Sequence, residues 1–97
     1  MAATIHMIAR FRAKAGKEEA LKNVLLTLVA PTRREIGCYQ YDLLQGYKNP
    51  GEFCFVERWD TERALEQHIN SDHLKKALAD AAELTEGPGE GGRYAIV

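Results

Sequence analysis

The sequence predicts an α+β domain with the element order β-α-β-β-α-β and four antiparallel strands, and three observations carry that prediction. Residues 4–12, 38–44 and 53–59 are strand-like, the first of them alternating apolar and polar positions. Residues 17–29 and 62–82 repeat apolar side chains at spacings of three and four, as helices with one buried face do. Clusters rich in Gly, Pro and Asn separate these segments at 45–51 and 86–92.

In the first strand Ile5, Met7, Ala9 and Phe11 share one side, with Thr4, His6, Ile8 and Arg10 on the other. Residues 14–16 turn the chain into a helix whose stripe is Ala20, Leu21, Val24, Leu25, Leu28 and Val29. Glu18 and Glu19 suit its positive N-terminus, and Arg33 and Arg34 suit its far end. Pro31 is expected to kink or interrupt it, because the ring clashes with the preceding turn and has no N–H to donate. Gly37 closes this segment, and the next two strands form a hairpin around 45–51. Asp60 or Thr61 can cap the following helix, which groups Ala64, Leu65, His68 and Ile69 on one face. Ser71 or Asp72 can cap a second piece with Leu74, Ala77, Leu78, Ala81 and Ala82 as its stripe. Residues 86–92 read as a loop and 93–97 as a short final strand. This order is ferredoxin-like, in one domain over residues 1–97. With helices on one face only, the opposite face of the sheet needs a cover.

A chain of 97 residues supports one core, burying roughly 65% of its extended surface. Hydrophobic residues make up 45% and charged residues 28%, with a net charge of −1, so the composition is that of an ordinary globular protein. The balanced charge removes the electrostatic drive for nucleic acid or anionic membranes, and neither is expected as a partner. No apolar run approaches the ~20 residues that span a bilayer, and Met1 leads directly into a strand-like segment, so a cytoplasmic location is expected. Cys38 and Cys54 lie on the two arms of the hairpin, with Cys54 placed near Leu43, roughly 16 Å along the strand from Cys38. Disulfide geometry cannot close that distance, which leaves free thiols.

Four blocks in order along the chain are Pro31-Thr32-Arg33, Glu35-x-Gly37-Cys38-x-x-Tyr41-Asp42-Leu43, Phe53-x-Phe55-x-Glu57-x-Trp59 and Leu65-x-x-His68-x-x-Ser71-x-His73. Together they resemble the antibiotic biosynthesis monooxygenase (ABM) domain family, in particular its quinol-monooxygenase-like members. The resemblance implies a homodimeric α+β barrel, with a pocket in each subunit between sheet and helices. It also implies an enzyme that oxidises small phenolic or quinol substrates with molecular oxygen and without metal, flavin or haem. Such chemistry asks the protein to take a proton, hold the anion near oxygen and exclude water.

His68 is the first candidate for the base, since it titrates near neutral pH and shares its helix face with Ala64, Leu65 and Ile69. A hydrogen-bonded core histidine is the structural alternative. Glu57 shares a strand face with Phe53, Phe55 and Trp59, so a carboxylate stands among aromatics, either as a catalytic group or as a buried structural partner of His68 or a tyrosine. Trp59 and Phe55 are candidate pocket walls for a planar substrate. Tyr39 and Tyr41 are read as pointing to one face of their strand, where either hydroxyl could orient a substrate oxygen. His73 can line the pocket mouth, and Arg33 is either a solvated helix-end charge or an anion contact. His68 and His73 have no third metal ligand in view, so no metal is expected.

Two other readings stay open. One is a small-molecule isomerase or degrading enzyme of the autoinducer-processing type, which would need a cationic cradle for phosphate, with Arg33 its only obvious candidate. The other is a non-catalytic dimer that binds an aromatic metabolite. Haem-degrading relatives carry an asparagine on the first strand, and residues 4–12 contain none.

Overall fold

A computed structural model describes residues 4–97 of the protein. The expectation drawn from the start of the chain at Met1 falls on residues 1–3, which lie outside the described residues. The elements are β1 (Ile5–Arg12), α1 (Glu18–Leu26), α2 (Val29–Arg33), β2 (Cys38–Gln45), β3 (Glu52–Trp59), α3 (Glu62–Ile69), α4 (Asp72–Ala81) and β4 (Glu90–Tyr94). The strands form one antiparallel sheet in the order β2-β3-β1-β4. This is the ferredoxin-like α+β fold that the hydrophobic periodicities imply.

The first helix breaks at Thr27 and Leu28, ahead of Pro31. Residue 27 is four before the proline, where the pyrrolidine ring would meet a helical carbonyl, and Pro31 instead sits in the first turn of α2, where no N–H is needed. Thr61 caps α3 by accepting from the Ala64 N–H at 3.1 Å, and Ser71 caps α4 by accepting from the Leu74 N–H at 3.3 Å. The Ser71 hydroxyl also donates to the His68 carbonyl at 2.7 Å, which joins the end of α3 to the start of α4.

Leu21, Leu25, Leu28, Leu65, Ala77 and Ala81 from the helices meet Tyr41, Phe53, Phe55 and Trp59 from the sheet to form the core. The other sheet face carries Ile8, Val56 and Cys54 at its centre, flanked by Leu44, Tyr94, Arg10 and Arg58. Cys54 therefore lies across from Leu44, one residue further along than the sequence placed it, and on the face opposite Cys38; both thiols are free.

Two further sequence readings are corrected. The last strand is Glu90–Tyr94, three residues ahead of the expected 93–97, so part of the glycine-rich stretch is strand. Gly91 and Gly92 lie opposite Ala9 and Ile8, and a Cβ on Gly91 would stand 2.8 Å from the Met7 methyl. The Met7 side chain lies over Gly91 and the Tyr94 ring over Gly92, a packing setting that composition alone reads as a loop. Tyr39 and Tyr41 do not share a face. A β-bulge between Cys38 and Gln40 inserts one extra residue on β2, which leaves Tyr39 59% exposed while Tyr41 is buried against the helices.

Candidate active site

A groove of about 500 Å³ opens between the helix-covered face of the sheet and α3 and α4. Its walls are overwhelmingly apolar, with Met7, Phe11, Phe55, Ile69, Leu74 and Leu78 among them. Leu78 is 42% exposed because it lines this groove and has no cover over it. Besides Thr85 and Glu90, three polar side chains interrupt the apolar wall: Tyr41, Glu57 and His68. Each comes from a different element, β2, β3 and α3, and each is on the inward face for the reason its periodicity gives.

Glu57 is 3% exposed, and its carboxylate Oε1 accepts from the Trp59 indole N–H at 2.9 Å. Trp59 is thus the partner of the carboxylate in place of the histidine or tyrosine suggested by the sequence. Burial pushes the Glu57 carboxyl up to about 7; the Trp59 hydrogen bond opposes this and the nearby Glu35 carboxylate adds to it. Tyr41 stacks on Phe55, with ring centroids 4.6 Å apart, and packs edge-on to His68. Burial and the Glu57 charge hold its phenol well above the ordinary tyrosine range. The Thr32 hydroxyl is fully buried with no partner at hydrogen-bond geometry, though it lies near enough to favour the ionised phenol.

His68 is 3% exposed, and its ring lies 4.8 Å from the Trp59 ring, centroid to centroid. Its Nδ1 is 2.7 Å from Glu35 Oε2, and His73 Nε2 is 2.9 Å from the same oxygen. A carboxylate has no proton to give, so both rings donate, which assigns the His68 proton to Nδ1 and leaves a lone pair on Nε2. Among the described residues nothing bonds to that Nε2, and it is not sealed, because Thr32 Oγ1 alone is both fully buried and unpartnered. Burial lowers the His68 pKa from its ordinary value; the Glu35 hydrogen bond and charge oppose that, and His73 adds to the lowering. With its proton on Nδ1, the ring lines the groove and carries its acceptor, Nε2, on the side away from Glu35.

Glu35 is the side chain of this cluster that periodicity did not single out. It opens a tight turn in which the Cys38 N–H bonds to the Glu35 carbonyl at 3.2 Å and Gly37 takes φ +86°. The Asp60 N–H donates to the Gly37 carbonyl at 2.9 Å, tying this turn to the start of α3. A Cβ on Gly37 would lie 2.3 Å from Asp60 Oδ1 and 2.6 Å from the Ala64 methyl, so only glycine lets the turn approach α3 this closely. That approach carries Glu35 to His68, 33 residues away in sequence. The available signal was the Glu-x-Gly block itself, a carboxylate two residues before a turn glycine.

Of the candidates read from the sequence, Tyr41, Phe55, Glu57 and His68 line the groove. Trp59 stands behind them with no exposed surface, holding Glu57. His73 is joined to the site through Glu35 but does not line the groove. Tyr39 is turned away by the bulge, and Arg33 is taken up on the β2 edge, donating to the Tyr41 carbonyl and to Asp42 Oδ1, each at 3.0 Å. No Lys or Arg lines the groove among the described residues, and among them no helix is long and apolar enough to cross a membrane.

Residues 4–80 match the family model described as antibiotic biosynthesis monooxygenase. A Mycobacterium tuberculosis protein named putative monooxygenase Rv0793 is 34% identical over 88 residues, which are 91% of this chain and 86% of that protein. Putative monooxygenase YcnE of Bacillus subtilis is 30% identical over 80 residues, 82% of this chain and 84% of that protein. The crystal structure of PA3566 from Pseudomonas aeruginosa superposes with a TM-score of 0.92 at 33% identity, covering 100% of this chain and 97% of that one. The order of the elements, the groove and these likenesses agree: the chain belongs to the antibiotic biosynthesis monooxygenase family.

Proposed function

We propose that the protein is a cofactor-independent monooxygenase that oxidises a small phenolic or quinol substrate with molecular oxygen. The observation that carries this reading is the His68 lone pair, a fixed proton acceptor facing an apolar groove. A phenol bound along Phe55 and Tyr41 gives its proton to His68 Nε2, and the resulting phenolate is electron-rich enough to pass an electron to oxygen. Glu35 steadies the imidazolium as it forms, in the way a carboxylate supports any histidine base. Glu57, whose carboxyl titrates at about 7, exchanges the second proton of a dihydroxy substrate. For a quinol the balance closes with one oxygen atom entering the ring and the other leaving as water, giving a hydroxyquinone. The apolar wall keeps bulk water from the anion.

The proposal extends to a cytoplasmic homodimer, joined through the sheet face bearing Ile8, Val56, Leu44 and Tyr94. Two free thiols suit a reducing compartment. The isomerase reading is weakened by the absence of any Lys or Arg lining the groove among the described residues, with Arg33 already engaged by Asp42.

Oxygen consumption by metal-stripped protein, measured with a panel of hydroquinones and polyphenols and corrected for autoxidation, tests the activity. Uptake above background that is lost in His68→Ala supports it. No uptake across the panel would refute it in favour of an aromatic-binding dimer. Sedimentation at micromolar concentration tests the dimer, and a monomer there would refute that part.

A further inference from the structure

The Glu35–His68–His73 cluster has two faces. Toward the groove it offers the His68 Nε2 lone pair. On the far side of the His68 ring, three metal-ligating atoms converge: His68 Nδ1, His73 Nε2 and a Glu35 carboxylate oxygen, all within 4.8 Å of one another. We propose that these three residues form a binding site for one divalent transition-metal ion of the zinc type, and that filling it switches off His68 as the proton acceptor of the groove.

Two imidazoles and one carboxylate are the ligand set of a three-residue zinc site with an open fourth position. Zinc at about 2.0–2.1 Å from its ligands sets neighbouring ligand atoms about 3.3 Å apart. The two pairs already in contact, at 2.7 and 2.9 Å, stand near that separation. What remains is a swing of the His73 ring toward His68. His73 lies in the first turn of α4 with 31% of its side chain exposed, and its bond to Glu35 is its one side-chain hydrogen bond among the described residues. Charge favours a cation as well. Glu35 and the buried Glu57 lie within electrostatic reach of each other, and among the described residues neither pairs with a Lys or Arg.

The consequence for the groove follows from the chemistry of imidazole. A neutral ring bound to metal through Nδ1 keeps its one proton on Nε2. The groove then meets a donor where it had an acceptor, and a bound phenol can no longer pass its proton to His68. Because neither Glu35 nor His73 lines the groove, the ion would sit behind the His68 ring, away from substrate. The effect on turnover rests on the reading of His68 as the base, whereas the binding of metal does not.

The test uses the full chain, stripped with chelator and dialysed. Zinc titration by calorimetry should show one ion per chain, and cobalt(II) should give the visible bands of a tetrahedral site with nitrogen and oxygen ligands. His73→Ala and Glu35→Gln, checked for fold by circular dichroism, should each weaken zinc by more than the ~10–100-fold cost of losing an outer-shell partner. Unaltered affinity in both folded variants overturns the site. So does a thiolate-to-cobalt charge-transfer band that vanishes in Cys38→Ser, which would place the ion on the thiol. In the oxygen assay one equivalent of zinc should inhibit the wild type, with the sensitivity lost in His73→Ala. Stoichiometric zinc binding without inhibition, or with stimulation, overturns the switch while leaving the site standing.

Discussion

Replacing Glu57 by glutamine should stabilise the protein above neutral pH while disabling its chemistry. Its carboxyl has an ordinary value of 4.5 and is held at about 7 by burial in the fold. The folded protein therefore binds that proton more tightly than the unfolded chain does, and stability falls as pH rises from about 4.5 to about 7. Below this window the group costs nothing, and above it the full cost of about 3 kcal/mol is present. Between pH 5 and pH 8 the loss from this one group is about 2.5 kcal/mol. Glutamine cannot ionise, keeps an oxygen for the Trp59 indole, and so should be free of the loss. Urea unfolding at pH 5 and pH 8, at one fixed protomer concentration, measures it as the difference between the two proteins' changes. Titration of His68 is common to both proteins and largely drops out. Equal pH dependence in wild type and variant would refute the argument, because it would mean that the fold does not raise the Glu57 carboxyl. The same variant should lose at least about 100-fold in turnover, since under the proposed mechanism it removes the group that exchanges the substrate's second proton.

Three further outcomes follow from single contacts. His68→Ala should lower turnover by about 100-fold or more with its circular dichroism spectrum unchanged, and an active variant would remove the proposed base. Gly37→Ala should cost about 2 kcal/mol or more, from positive φ and the collision with Asp60 and Ala64; a thermal midpoint within a few degrees of wild type would show that the turn can withdraw from α3. Thr32→Val should raise stability by about 1 kcal/mol in urea unfolding, because it removes a buried hydroxyl with no partner, and a loss instead would mean that the hydroxyl is bonded to the Tyr41 phenol.

The parts of the molecule legible in the sequence are those where one segment's own pattern decides the outcome. Alternation fixed the inward set Phe53, Phe55, Glu57 and Trp59, and helical spacing turned His68 inward beside Ala64 and Leu65, because the side-chain period is a local property of strand and helix. The same holds for the capping residues Thr61 and Ser71, each of which serves an N–H three residues on. What the pattern missed depends on a second segment. The bulge that turned Tyr39 outward is a mismatch between β2 and β3, and no count along β2 alone contains it. Gly91 and Gly92 belong to a strand because they pair with Ala9 and Ile8 of β1, a partner their own composition does not name.

Glu35 is the sharpest case, and it bears on how such a site is built. As a turn residue it has no periodicity to read, and its partners His68 and His73 lie on two other elements. Yet its placement is over-determined once folded: Gly37 permits the turn, Asp60 clamps it, and the two imidazoles share one oxygen. The proposed base on a helix face thus depends on a carboxylate supplied by a loop, and the glycine between them does the positioning. Changing Gly37 should therefore disturb His68 although the two do not touch, which is how a conformational residue comes to act as a site residue.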